Sequence, residues 1–432
     1  MMPPKSWLHD LIQAHAQFES PLPFWKWAGL VSISAVVKDN VYLTQEMFNL
    51  YPNIYVMFHA DSGLKKGPPV NLAKKLVQGV GNTKIISGRS SIQGILRKLG
   101  ESKSVPGGKI KGGACGFICS SELSSSLVDD PAATDILTDL YDRSYNAGDW
   151  DSLLKGEEFA LKDATVVMLS ATNEAHSAEF LERKDVAGGF LARTFIIYES
   201  EENRPNSLIV KRDKRIDYEG FIEYLREIAN LRGEFLPLAV ETEDAHHPIS
   251  KINDYTGVTE YYTPAGIAYE DWYTNFKKEV KGVKDSTGTL NRFGASVLKV
   301  AMLISLSKVP VLEITEDAMM EAIKTCETLV GNARKVTFGR AEGDPNDATR
   351  KKLMLLELMQ RETHSITHAQ LNKKFWMQGT TKEWEETAIS LAHAEVIEIK
   401  PMGPNNVLYT MLPQAYEDLK SRFEGRTKVG QN

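Results

Sequence analysis

Three cysteines in 432 residues, Cys115, Cys119 and Cys326, exclude a disulfide framework and leave too few thiols for a zinc set. Cys115 and Cys119 fall in an apolar, strand-like run, the setting of buried thiols in a reducing cytosol. No run of 18 or more apolar residues occurs, so no membrane-spanning helix is expected. The opening residues, MMPPKSWLHDLIQAHAQF, lack the apolar core and small-residue cleavage site of a secretory signal, and the expectation is a cytoplasmic protein. The chain also lacks net positive charge. Its −6 argues against a generic nucleic-acid coat.

That average conceals a split. Residues 61–112 hold eleven Lys and Arg against two acids, Asp61 and Glu101, so the segment carries +9 and the remainder −15. Such a segment suits a polyanion, or it presents solvated helix faces paired with acids from elsewhere. Hydrophobic residues make up 42% and charged residues 25%, as in a globular chain long enough for two to four domains.

Apolar residues at helical spacing in 6–38, broken at Pro21-Leu22-Pro23, predict two helices. From 52 to 200 the pattern becomes short β-branched runs alternating with helices: NIYVMF, TKIIS, ACGFICS, ATVVMLSAT and RTFIIYE. This alternation predicts an α/β layer with a mainly parallel sheet, whose ligands bind at the carboxyl ends of the strands. Residues 215–345 read mainly as helices, and AEGDPNDA (341–348) as a linker. Beyond it, three helices and two strands around Gly403-Pro404-Asn405-Asn406 follow the order of a winged helix. The expected segments are an N-terminal helical region (1–45), an α/β core (46–205), a helical lid (206–345) and a winged-helix domain with tail (346–432).

The stretch YVMFHADSGLKKGPPVNLAKKL, Tyr55 to Leu76, reads as strand, glycine turn and helix. Phosphate cradling needs inward backbone N–H groups, a helix start and a lysine. Ser62, Gly63, Leu64, Lys65, Lys66 and Gly67 offer that sequence of groups, with Lys66 as the phosphate lysine. Measured against G-x-x-x-x-G-K-[ST], Ala60 replaces the first glycine, Lys65 the second, and Gly67 the hydroxyl that would ligate Mg²⁺. Lys65 is tolerable there only outside a glycine-only conformation. A plain strand–turn–helix is the alternative.

Later runs supply partners. ACGFICSSEL ends in Ser121-Glu122, where Glu122 is the candidate to polarise an attacking water and Ser121 stands at the metal position. TVVMLSATN ends in Thr172-Asn173, a candidate γ-phosphate sensor. Arg193 follows Gly188-Gly189 at the start of a strand and is a candidate trans arginine finger, or else an edge-strand ion pair. Arg292, opening an apolar helix, is a candidate for phosphate sensing from the lid.

In that order, YPNIYVMFHADSGLKKGPP, GFICSSEL, VVMLSATN, GGFLARTFIIYE and RFGASVLKVAMLISLS resemble a family of phage and mobile-element P-loop ATPases. These are related to the helicase part of primase–helicase replication proteins. The resemblance spans roughly residues 20–310. It implies a RecA/AAA-like P-loop core, ATP and Mg²⁺ as cofactors, and a homo-oligomeric ring, a hexamer, with ATP between subunits. It places Lys66 at the phosphates, Glu122 as catalytic carboxylate, Asn173 as sensor and Arg193 as finger.

A motor on single-stranded DNA needs channel loops. In 142–164, a helix end and hairpin, Arg143 and Lys155 are positioned to touch phosphates and Trp150 to stack a base. Residues 121–190 nevertheless carry fifteen acids and five Lys and Arg, so a structural hairpin is an equal reading. The third helix of the C-terminal domain, TKEWEETAISLAHAE, sets Lys382 against Glu383, Glu385, Glu386 and Glu395. That favours a partner protein over a major groove. The expected function is thus a replication helicase or helicase-like translocase. The alternatives are an ATPase that loads or remodels a partner, or a non-hydrolysing P-loop scaffold.

Overall fold

Five apolar runs become five strands of one sheet. The computed structural model describes residues 6–45, 48–88, 90–100, 114–121, 131–142, 150–154, 157–172, 189–204, 216–241, 250–252, 259–281, 288–333, 345–375, 381–403, 406–417 and 420. In chain order the first elements are α1 (Trp7–His15), α2 (Leu22–Val37), β1 (Val41–Gln45), β2 (Phe48–Leu50), β3 (Tyr55–His59) and α3 (Gly67–Val80). Next come β4 (Lys84–Ser87), α4 (Ile92–Gly100), β5 (Cys115–Ser120), α5 (Pro131–Tyr141), β6 (Trp150–Leu154), β7 (Glu157–Leu161) and β8 (Thr165–Thr172). A short 3-10 turn, Leu191–Arg193, leads into β9 (Thr194–Tyr198).

Strands β4, β5, β8, β3 and β9 lie in that order, and all neighbours are parallel. Parallel strands are covered on both faces and so read as continuous apolar runs. Every residue of β3 and β8 is buried accordingly. One cover is α2, whose single charge is Lys26. A helix apolar on all sides belongs inside a core, and Phe24 stacks on Phe58 at 4.5 Å while Trp27 lies 4.9 Å from Phe195. Its buried hydroxyls are satisfied, Ser32 by Ala28 O and Ser34 by Pro52 O. The hairpin expected within 142–164 is present as β6 paired with β7.

The segment expected to be mainly helical holds α6 (Tyr218–Ile228), α7 (Pro264–Glu279), α8 (Thr289–Lys308) and α9 (Glu316–Ala333). It also holds strands that the sequence pattern misses. β10 (Gly233–Glu234) extends the β1–β2 ribbon, and β11 (Ala239–Glu241), β12 (Ser250–Ile252) and β13 (Thr259–Tyr262) form an antiparallel sheet. Strands of two to four residues are too short for alternation to be visible. Among the described residues, α8 is the one helix long and apolar enough to cross a membrane, yet 72% of its apolar window is buried inside the protein.

The chain divides into two units, 1–332 and 333–432, so the N-terminal helices share the first with the sheet. The second contains α10 (Pro345–Gln360), β14 (Ser365–Thr367), α11 (His368–Lys374), α12 (Thr381–His393), β15 (Ile397–Gly403) and β16 (Asn406–Met411). Its antiparallel sheet runs β14-β16-β15, with β14 as a strand the sequence did not announce. Thr367 and Gln370 form a capping box that starts α11. Trp384, Ala388 and Leu391 face this unit's core, as their spacing predicts. Trp384 is fully buried against Phe375. Trp384→Ala should cost about 3–5 kcal/mol. Hydrogen exchange should then show early opening of 333–432 while β3 and β8 amides keep their protection.

Candidate phosphate-binding site

All five strands run the same way, so one edge of the sheet gathers their carboxyl ends. There β3 passes into the loop 60–66. Ala60 and Leu64 are buried and anchor it, while Asp61, Ser62, Gly63 and Lys65 are exposed. Leu64 N–H donates to Asp61 O (3.3 Å) and Lys65 N–H to Gly63 O (2.7 Å), closing two tight turns. Gly63 has φ of 103°, which a side chain rarely adopts. Lys65 has φ of 41°, close to the left-handed region that a non-glycine residue enters at a cost of ~1–2 kcal/mol. Lysine in place of the second glycine is therefore accommodated, but under strain.

The restraint comes from outside the loop. Ser20 Oγ donates to Lys65 O at 2.7 Å, and Lys65 Nζ lies 3.9 Å from Glu19. Asn203, beyond β9, holds the same segment through Ala16 O, Phe18 O and Glu19 O. Lys66 turns its Nζ into the loop, donating to Ala60 O (2.6 Å) and Asp61 O (2.8 Å). α3 then starts without a side-chain cap, with proline in its first turn. Among the described residues, no atom beyond the chain neighbours and the helix's own backbone stands within 4 Å of where a Cβ on Gly63 or Gly67 would be, so these two positions face open space.

Register brings neighbouring strand ends to this edge. His59 lies opposite Thr172 of β8 and Tyr198 of β9, and Ser120 of β5 lies opposite Ser170. Ser121 follows, exposed. Glu122 and Asn173, the next residues of their runs, lie outside the described residues, as do Arg143 and Lys155. Trp150 opens β6, opposite Leu161. The phosphate part of the expected site fits this geometry: a glycine turn, an uncapped helix start and a central lysine. For Mg²⁺, Gly67 contributes no side chain, and among the described residues no three His, Cys, Asp or Glu converge.

Arg193 and Arg292 are elsewhere. Arg193 immediately precedes β9, whose first residue Thr194 pairs with Tyr55, the first of β3. This is the amino edge, roughly 20 Å from the loop at ~3.3 Å per strand residue. Arg193 Nε donates to Asp142 Oδ2 (3.0 Å), Nη2 donates to the same oxygen, and Nη1 donates to Gly189 O (2.8 Å). Arg292 Nη1 approaches both oxygens of Asp142 at 3.3 and 3.4 Å. Arg193, expected as a finger toward a neighbouring subunit, and Arg292, expected at the phosphates from the lid, are thus brought together at Asp142 and not at Lys66.

Behind them lies Lys299, buried in α8. Its Nζ donates to Asn53 O (3.0 Å) and Oδ1 (2.9 Å) and sits 3.8 Å above the Tyr141 ring. Asn53 Nδ2 donates to Tyr141 O (3.0 Å), and Tyr55 OH to Leu137 O (2.8 Å). Burial, with Arg193 and Arg292 nearby and Asp142 only partly opposing, brings Lys299 down to about 7. Burial likewise raises the Tyr55 and Tyr141 hydroxyls above their ordinary range.

The sign of the Lys299 effect is fixed. From about pH 7 up to the ordinary lysine value near ~10.4, the unfolded chain binds a proton that the folded chain does not, so stability rises with pH. Below that window the contribution is flat. Between about pH 7.5 and about pH 9.5 the urea midpoint of Lys299→Met should rise less with pH, or fall more, than that of the unmodified chain, where the buried thiols Cys119 and Cys326 contribute with the opposite sign. An unchanged slope in the variant would refute the assignment.

The sequence reading passed over Glu19, Ser20, Asn53, Asp142 and Lys299. Only Lys299 carried a signal, as a lone cation inside VLKVAMLISL. No protein-family model matches the chain, and no curated protein does.

Proposed function

We propose that the chain is an oligomeric ATP-hydrolysing P-loop motor of phage DNA replication, a helicase or helicase-like translocase on single-stranded DNA. One observation carries this reading: an all-parallel sheet delivers a glycine turn, Lys66 and an uncapped helix start to its carboxyl edge. Lys66 would exchange its two loop carbonyls for phosphate oxygens, and the uncapped start of α3 would face the rest of the phosphates. ATP when bound supplies the bond to be cleaved, and Mg²⁺ the charge that offsets its phosphates. Ser121 and Glu122, which follow β5 in sequence, are the residues proposed to orient the metal's waters and the attacking water. Asn173, next in sequence after β8, is the residue proposed to sense the terminal phosphate.

The amino-edge arginines cannot serve their own loop across the sheet. In a head-to-tail ring each would meet its neighbour's nucleotide. The helices α8 and α9 act as the lid of the core, and the second unit as a winged helix. Its α12 exposes Lys382, Glu385, Glu386, Ile389 and His393, a face suited to a partner protein rather than to phosphates. That observation favours the second reading, a loader or remodeller, for this unit. ATP turnover at low salt, with and without single-stranded DNA, decides between them: several-fold stimulation is expected. Turnover indifferent to DNA would leave the loader, and no turnover at all would leave a scaffold.

A further inference from the structure

The turn at Lys65 is held by a residue outside the loop and outside its motif. Ser20 lies in the linker between α1 and α2, is buried, and donates its hydroxyl to Lys65 O at 2.7 Å. Its own carbonyl accepts from Trp25 Nε1 at 3.2 Å, so the backbone that carries the hydroxyl is fixed as well. Asn203 fixes the residues before it: Nδ2 donates to Ala16 O (2.6 Å) and Phe18 O (3.1 Å), and the N–H to Glu19 O (3.0 Å). The ion pair between Lys65 Nζ and Glu19, at 3.9 Å with the lysine 53% exposed, adds little. The hydroxyl is the stronger tie.

A carbonyl held in place also fixes an N–H. The peptide between Lys65 and Lys66 is trans and planar, so its N–H points opposite to its C=O. With Lys65 O turned toward Ser20, the Lys66 N–H is turned away from the linker. The same residue's Nζ is the central cation of the loop. Lys65 has φ of 41°, a conformation that a residue with a side chain relieves by rotating its flanking peptides. The contact from Ser20 opposes that rotation.

Resting on the nucleotide reading above, we infer that Ser20 is a positioning residue of the phosphate loop. By holding Lys65 O it aims the Lys66 N–H at the phosphates, and it keeps a lysine in a turn that glycine would adopt unaided. Ser20 and Lys65 therefore act as a pair. The hydroxyl matters because residue 65 carries a side chain, and a glycine there would make it dispensable.

The test is a double-variant cycle on the full chain, read as affinity for a non-hydrolysable fluorescent ATP analogue with Mg²⁺. Ser20→Ala should weaken binding about fivefold. It leaves in place the carbonyl that receives Trp25. In the Lys65→Gly background the same change should weaken binding by less than about twofold, because the turn no longer depends on the hydroxyl. Asn203→Ala, which releases the linker and leaves Ser20 intact, should show the same dependence on residue 65. Unaltered affinity in Ser20→Ala, or an equal loss in both backgrounds, would overturn the assignment alone when Lys66→Ala still weakens binding. If Lys66→Ala binds the analogue as the unmodified chain does, the nucleotide reading itself falls and takes this inference with it.

Discussion

Lys66→Ala should lower ATP turnover at least ~100-fold and weaken ATP binding at least ~10-fold, because two separate jobs are lost. The first is electrostatic. A cation centred in the loop offsets charge on the phosphates, and nothing on Gly63, Leu64 or Gly67 replaces it. The second is structural: Lys66 Nζ ties Ala60 O to Asp61 O, so the loop's own curvature depends on it. Hydrogen bonds from a charged donor are worth ~1.5–3 kcal/mol each in net terms, so some loss of Tm should accompany the loss of binding. Titration with a fluorescent ATP analogue separates the two. An unchanged Kd would sink the phosphate site. Lys66→Arg should keep part of the affinity and little of the turnover, since a planar fork does not fit the space of a compact ammonium.

Asp142→Ala should cost about 3–5 kcal/mol, lowering Tm by about 5–10 °C. The penalty comes from what remains rather than from what is removed. Arg193 would keep two nitrogens without acceptors in a site its side chain exposes by only 8%, with Arg292 and Lys299 adjacent and no anion among them. Asp142→Asn retains shape and one acceptor, so its loss should be smaller. Calorimetry on both variants distinguishes this from a surface ion pair, for which Tm would move by less than about 2 °C. Raising salt should rescue Asp142→Ala only weakly, as buried charges are poorly screened.

The sheet was legible because parallel strands buried on both faces leave runs such as TVVMLSAT that admit few other readings. The loop was legible because glycine and proline mark backbone directly, at Gly63 and Pro68. What stayed hidden depends on the order in which strands line up. Arg193 and Arg292 each sat beside a strand or helix start, and the sequence reading assigned them separate roles, a trans finger or edge-strand ion pair for one and phosphate sensing from the lid for the other. Their shared partner Asp142 lies 51 and 150 positions away, and only the placement of β9 beside β3 brings the three to the amino edge. Short strands such as β10 escaped for a different reason: two residues carry no period.

Lys65 stands where G-x-x-x-x-G-K-[ST] has its second glycine. In the glycine version of this motif, the backbone takes its left-handed turn by its own permissiveness. Here a lysine holds that turn while Ser20, 45 residues upstream, grips its carbonyl, a bond worth ~0.5–1.5 kcal/mol against a strain of similar size. The curvature of the loop 60–66 is therefore held in part by the linker between α1 and α2. Asn203 fastens that linker to the chain leaving β9, the strand that begins at Arg193. Without that clasp the turn at Lys65 would keep its strain and lose the bond that offsets it, so the loop after β3 depends on how the N-terminal helices are seated.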